Sequence, residues 1–231
     1  MFEWIDLGAC SGPLFERIEG RAARFLDEPD SLRAAVGLLD RLHGDRELAE
    51  ALPARDARSS VLERYVECME SDLRECGDRY PVSLATLAWM HREVAEVRAR
   101  IEAEAAFDLA EPVPIHGDPW EENVLVEASG RWSALDWDDL GLGDPALDLA
   151  ILLGPLVRAG RDPIPWLGPR PDGFRTRFAL CVRAGLLEEV VDWLADWVEA
   201  ERVPGRVEEV RARTWRAHRA ALDRYEALFD P

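Results

Sequence analysis

The stretch His116-Gly117-Asp118-Pro119-Trp120-Glu121-Glu122-Asn123, followed by Leu135-Asp136-Trp137, holds the side chains of this chain best suited to chemistry. Transfer of a phosphoryl group asks little covalent work of a protein. It needs one carboxylate to orient the attacking hydroxyl, and oxygen ligands to hold Mg²⁺ against the nucleotide phosphates. An Asp and an Asn four residues apart in between meet that need when a loop presents the carboxylate and the next turn returns the amide towards the metal. A hairpin after it would bring Asp136 to the same point. The wider composition sharpens this reading. The 231 residues include no Lys, no Gln and a single Asn, so all 28 basic side chains are Arg. Such depletion looks like a coding bias, and against it a solitary amide marks a position where chemistry requires one.

Other function classes fall away on charge and hydropathy. A formal net charge of −18 argues against nucleic acid, whose phosphates need a basic footprint. An acidic surface suits cationic partners, and it also simply aids solubility. The most apolar run, residues 145–157, carries Asp148 in its middle, so no membrane span is expected. The first residues, Met-Phe-Glu-Trp-Ile-Asp, lack the basic and apolar regions of a secretory signal. Cys10, Cys68, Cys76 and Cys181 form no CxxC pair, which favours buried thiols in a reducing cytoplasm over zinc or disulfides.

The elements that must position these residues can be read from periodicity. Residues 2–7 and 13–19 form a hairpin about Gly8-Ala-Cys-Ser-Gly12. Asp30 or Ser31 caps a helix that buries Leu32, Ala35, Val36, Leu39 and Leu42 and ends near His43-Gly44. Helices follow at 59–76 and 83–106, the second with Leu84, Leu87, Met90, Val94, Val97 and Ile101 on one face. Strands at 123–127 and 132–136 flank a Ser-Gly turn. Helices return at 145–157, at 172–201 with an internal break, and at 205–229, with a loop over 160–173. The fold class is α+β and mostly helical, with a short β segment inserted at 122–137.

These motifs resemble the HGDxxxxN loop of the aminoglycoside phosphotransferase and choline kinase family, relatives of the protein kinases. Leu135-Asp-Trp137 resembles that family's second metal motif, and Gly143-Asp-Pro-Ala-Leu-Asp-Leu-Ala150 the segment after it. Upstream, Phe15-Glu-Arg-Ile-Glu-Gly20 resembles the hinge, and Leu38-Leu-Asp-Arg-Leu-His43 the helix after the hinge. The resemblance spans residues 13 to 155. It implies a kinase-like C-terminal lobe over 21–231, its catalytic segment at 112–150, with residues 1–20 a remnant hairpin and hinge of the N-terminal lobe. It implies ATP or GTP with Mg²⁺ as cofactors, Asp118 as catalytic base, and Asn123 and Asp136 as metal ligands. Glu16, Arg17 and Ile18 would line the nucleotide at the hinge. His116, Asp144 and Asp148 would brace the loop, and Trp120, Glu121 and Trp193 would meet the acceptor.

Two departures stand beside the likeness. Gly117 occupies the place of the Arg in the protein-kinase HRD motif, and no APE-like segment follows, so switching by activation-loop phosphorylation has no visible receptor. Only about a dozen residues precede the hinge-like segment, and the Lys that family members use to grip the nucleotide has no counterpart. A truncated gene model, a lobe supplied by a partner chain, and a domain that no longer turns over all account for this.

The expected activity is transfer of a nucleotide γ-phosphate to a hydroxyl of a small, aminoglycoside-like cationic acceptor. A peptide Ser or Thr in natural-product modification is the alternative acceptor, and a non-catalytic scaffold subunit completed by another chain the alternative class. Trp193 and Trp197, beside Asp192 and Asp196, could clamp a polycation. The arc Leu187, Val190, Val191, Leu194, Trp197 and Val198 argues instead for an ordinary amphipathic helix, with Glu188, Glu189, Asp192, Asp196 and Glu199 solvated and Trp193 at the boundary. His43, His91 and His218 lie on separate helices without partners at metal spacing, and are read as structural or surface residues.

Overall fold

Apolar side chains recurring at three- and four-residue steps organise most of this chain into helices. The computed structural model describes residues 2–6, 11–15, 18–202 and 205–229. Strands β1 (Phe2–Asp6) and β2 (Ser11–Phe15) pair antiparallel as expected, Phe2 opposite Phe15 and Asp6 opposite Ser11. Residue 7 of the expected first strand and residues 8–10 of the expected turn lie outside the described residues, as do the hinge residues Glu16 and Arg17; Ser11 and Gly12, expected in that turn, lie in β2, and Ile18 is half-buried. A third strand, β3 (Gly20–Ala22), was too short to leave a period in the sequence. The expected boundary between residues 20 and 21 therefore falls inside a strand.

Helix α1 (Pro29–His43) buries Leu32, Ala35, Val36 and Leu39 as read. Its start differs. Glu28 is the N-cap without a side-chain cap bond, Pro29 opens the helix where a missing N–H costs nothing, and Asp30 sits in the first turn. Helix α2 (Arg46–Ala51), absent from the sequence reading, is capped by Asp45, which accepts from the Leu48 N–H at 3.0 Å. Helix α3 (Ala57–Val61) continues through a π-helical turn, Leu62–Glu67, into α4 (Cys68–Cys76). Helix α5 (Leu84–Ala103) is capped by Ser83 and buries Met90, Val94, Val97 and Ile101. Leu84, counted on that face, projects from the first turn and is 86% exposed.

The β segment is richer than one hairpin. Strand β4 (Val113–Ile115) pairs with β7 (Gly141–Gly143), and β5 (Val124–Glu127) with β6 (Trp132–Ala134), β3 adding to the outer side of β5. The catalytic segment thus runs out along β4, through the central hairpin, and back along β7. Helix α6 (Pro145–Arg158) follows, then a single turn, α7 (Ile164–Leu167), inside the segment read as loop.

Helix α8 (Phe174–Glu199) packs against α4, α5, α6 and α9 (Val207–Phe229) and forms the centre of the core. The expected break in it does not occur. Gly185 stays helical, and a Cβ there would stand 3.1 Å from the Tyr65 hydroxyl oxygen. The glycine lets the π-helical turn lie directly against α8. Among the described cysteines Cys181 is buried, Cys76 half-buried and Cys68 exposed, so the expectation of buried thiols fails at Cys68. No helix among the described residues is long and apolar enough to cross a membrane.

Candidate active site

One buried carboxylate organises the loop between β4 and β5. The backbone N–H groups of His116 and Gly117 donate to the two oxygens of Asp148, each at 2.9 Å. Asp148 lies in the first turn of α6 and is fully buried. His43 Nε2, at the end of α1, is 2.9 Å from the same carboxylate. A buried carboxylate is tolerated when its lone pairs are filled, and here the filling ties the loop to two helices. The pairing of His43 with Asp148 joins residues 105 apart and is invisible to the local spacing that marks His43 only as a histidine without a metal partner.

Asp144 anchors the same helix one turn earlier. It caps α6 by accepting from the Ala146 N–H at 2.9 Å, and it accepts from Arg177 Nε of α8 at 2.6 Å. Its own N–H donates to Ser60 Oγ at 3.0 Å. Arg177 is itself buried and donates to the Ala106 carbonyl at 3.1 Å, so both charges are paired and hydrogen-bonded.

His116 is fully buried. Its Nε2 lies 2.8 Å from the Leu135 carbonyl oxygen, which can only accept, so Nε2 carries the proton. Nδ1 is then free to accept the Asp118 N–H at 3.3 Å. The imidazole thereby spans from the 118 loop to the residue before Asp136, and the Trp137 ring packs on it with centroids 4.5 Å apart.

Asp118 and Asn123 meet. Asn123 Nδ2 donates to the Asp118 backbone carbonyl at 2.9 Å and to its Oδ2 at 3.1 Å. Both amide hydrogens are spent, which leaves Oδ1 of Asn123 as a free acceptor. The Leu135 N–H donates to the Asn123 carbonyl at 2.8 Å, placing Asp136 one residue from that amide. Asp136 is exposed and is the one non-glycine with positive φ (59°) among the described residues, a backbone state seldom held without a compensating use. No three His, Cys, Asp or Glu side chains among the described residues are gathered to hold a metal by themselves. An amide oxygen and one uncommitted carboxylate do fit Mg²⁺, which takes one or two protein ligands and fills its shell with water and phosphate oxygens.

Beside Asp118 opens a cleft of about 230 Å³, lined by Arg64, Trp120, Ile151 and Glu188 among others, and continued towards Asp192 and Trp193. Trp120 and Trp193, expected at the acceptor, both face it. Glu121 does not line it: its Oε1 accepts the Phe25 N–H at 2.7 Å, which ties the loop to the segment after β3. Glu188, expected on the solvated arc of α8, turns into the cleft and pairs with Arg64. The guanidinium of Arg64 also reaches Asp118 Oδ1 at 3.5 Å. Local spacing does not single out Arg64: its neighbours one turn away are Ser60, Val61, Glu67 and Cys68, and its partners Asp118 and Glu188 lie 54 and 124 residues along the chain.

The charges are shifted accordingly. Burial raises the Asp118 carboxyl, Arg64 pulls it down and Asp139 pushes it up again, the net direction being above the ordinary range. Burial pushes Glu188 up to about 7 against the pull of Arg64. Asp192 rises to about 6, through burial and then through Asp196 and Asp72.

Three kinds of comparison bear on this arrangement. No curated protein matches the chain by sequence. Among solved structures, choline kinase LicA from Streptococcus pneumoniae superposes with a TM-score of 0.60 at 15% identity, over 95% of this chain and 74% of that one. An aminoglycoside phosphotransferase from Alicyclobacillus acidocaldarius gives 0.61 at 18% identity, over 97% and 71%. A GDP and kanamycin complex of an APH enzyme gives 0.53 at 13%, over 83% and 62%. At such identities the likeness shows the kinase-like fold alone. The model of the APH phosphotransferase enzyme family matches residues 4–179, more than half the sequence, and the chain belongs to that family.

Proposed function

We propose that this chain transfers the γ-phosphate of ATP or GTP to a hydroxyl of a small cationic molecule. The observation that carries the reading is the lock between Asp118 and Asn123, 3.1 Å apart at the mouth of a cleft that an acceptor can enter. Asp118 serves as the base: its Oδ2 is fixed by Asn123, and Oδ1, held only by a long contact to Arg64, is free to take the acceptor proton. Asn123 Oδ1 and Asp136 are the groups that would hold Mg²⁺, which when bound neutralises phosphate charge. His116, Asp144 and Asp148 keep the loop in shape and touch no reactant.

The acceptor class follows from the far end of the cleft. Asp192 lies there with Trp120 and Trp193, while Arg158 and Arg224, at the same end, both pair with Glu189; Asp192 is thus the carboxylate that a cation would meet, with two aromatic rings beside it. Relatives solved with AMP, and with GDP and kanamycin, support a nucleotide and a small-molecule acceptor.

The test is a transfer assay with γ-labelled ATP and GTP against amino alcohols, aminoglycosides and hydroxyl peptides. Label is expected on a small cationic acceptor only with Mg²⁺, and Asp136→Ala should abolish it. Label reaching only peptides would replace the acceptor class. Transfer that ignores Mg²⁺ would remove the metal assignment.

A further inference from the structure

The far end of the cleft holds more than a place for a cation. Arg158, the last residue of α6, and Arg224 of α9 reach the same carboxylate, Glu189 of α8. Arg158 Nη1 donates to Oε1 at 2.5 Å and Arg224 Nη1 to Oε2 at 2.9 Å. Two positive charges thus share one negative charge. Scarcity of carboxylates does not explain this, because the chain has 46 acidic side chains against 28 basic ones. Each guanidinium gives Glu189 a single nitrogen and makes no other hydrogen bond among the described residues. Neither forms the two-nitrogen fork that Arg and carboxylate favour, so both keep donors for a further anion.

A staple between three helices needs no open space around it, yet this one is set in the cleft wall. Arg158 and Glu189 line the part beside Asp118, and all three line its continuation with Asp192, Trp120 and Trp193. Gly154, inside α6, makes the room: a Cβ there would stand 3.2 Å from Arg158 Nη1. Glycine inside a helix is destabilising against alanine. What it admits here is a guanidinium that lies back over the preceding turn of α6, at the edge of the cleft.

We propose that Arg158 and Arg224 form a carboxylate subsite in the cleft, and that the acceptor is a zwitterion, a hydroxyl-bearing amino acid whose ammonium meets Asp192. The inference rests on the reading of this cleft as the acceptor's; it keeps that acceptor's cationic group and adds an anionic one. Glu189 then has two opposed effects. It holds the guanidiniums in place while the cleft is empty, and as a carboxylate it competes with the one that enters.

The measurement is calorimetric titration of the full chain, without nucleotide, using matched pairs of probes. These are L-serine and its four- and five-carbon homologues with a terminal hydroxyl, each against the amino alcohol that lacks only the carboxylate. At one chain length or more, the amino acid should bind about tenfold or more tightly than its amino alcohol, as charge-assisted hydrogen bonds to a carboxylate allow. That preference should shrink in Arg158→Gln and in Arg224→Gln, and grow in Glu189→Gln. A staple that only joined helices would move all three variants the same way. Failure of every amino acid to bind, no preference at any length, or a preference that Glu189→Gln lowers as the Arg variants do overturns the proposal. Transfer assays separate it from the reading beneath it. An amino acid that binds through the two arginines and never receives the γ-phosphate would defeat phosphotransfer and leave the subsite. Amino alcohols phosphorylated with the same kcat/KM as their amino acids would defeat the subsite and leave phosphotransfer.

Discussion

Gly117 sits at φ 87°, and a Cβ on it would come within 2.5 Å of Asp139 Cβ and 2.7 Å of the Asp139 carbonyl oxygen. The place that a protein kinase fills with Arg is therefore closed to any side chain, and the backbone N–H of Gly117 is spent on Asp148. Gly117→Ala must both hold an unfavourable φ and push on backbone, not on a flexible side-chain end. We expect it to lower stability by about 1–3 kcal/mol, the usual range for a strained backbone position, read from urea denaturation. Because Asp139 also bears on Asp118, transfer should fall with it. Unchanged stability would mean that the loop can relax away from Asp139. At this scale the sequence was legible where a motif is contiguous, as from His116 to Asn123. It was not legible for His43, Arg64, Arg177 or Glu188, whose partners lie between 33 and 124 residues away.

Helix α8 shows why periodicity misjudged a face. A wheel divides it into an apolar arc and an acidic one, and Leu187, Val190, Val191, Leu194 and Val198 are buried as that division requires. The acidic arc is not uniformly solvated, because the π-helical turn and α4 lie along part of it. There Asp192 gathers like charges from Asp196, Asp72 and Glu199, with Arg64 counteracting them. Its folded-state value of about 6 lies above the ordinary Asp value, so the folded protein binds this proton more tightly than the unfolded chain does. The resulting penalty is absent below the unfolded value, grows as pH rises towards 6, and is complete above it. Asp192→Asn should therefore raise Tm at pH 7.5 and leave it unchanged at pH 3.5, as differential scanning calorimetry would record. A variant that is no more stable at pH 7.5 would mean that solvent already screens these carboxylates. The same local reasoning missed α2 and α7, of six and four residues, and strands β3, β4 and β7, of three each, because none is long enough to display a period.

Across the whole molecule, the site is a meeting of parts distant in sequence. The end of α1 supplies His43, the turn between α3 and α4 supplies Arg64, the start of α6 supplies Asp144 and Asp148, and α8 supplies Arg177 and Glu188. The helical body and the central hairpin could be read ahead of the structure because amphipathic patterns and capping residues are local. The convergence around Asp118 could not, except through the likeness of its three motifs to a family. All of it serves one claim, that Asp118 accepts the proton of an attacking hydroxyl. Asp118→Asn keeps the shape of the side chain and removes its basicity. Single-turnover transfer from γ-labelled nucleotide, with an acceptor the wild type uses, should fall by roughly 10²-fold or more while nucleotide affinity stays within a few-fold. Transfer by Asp118→Asn at the wild-type rate would contradict the account.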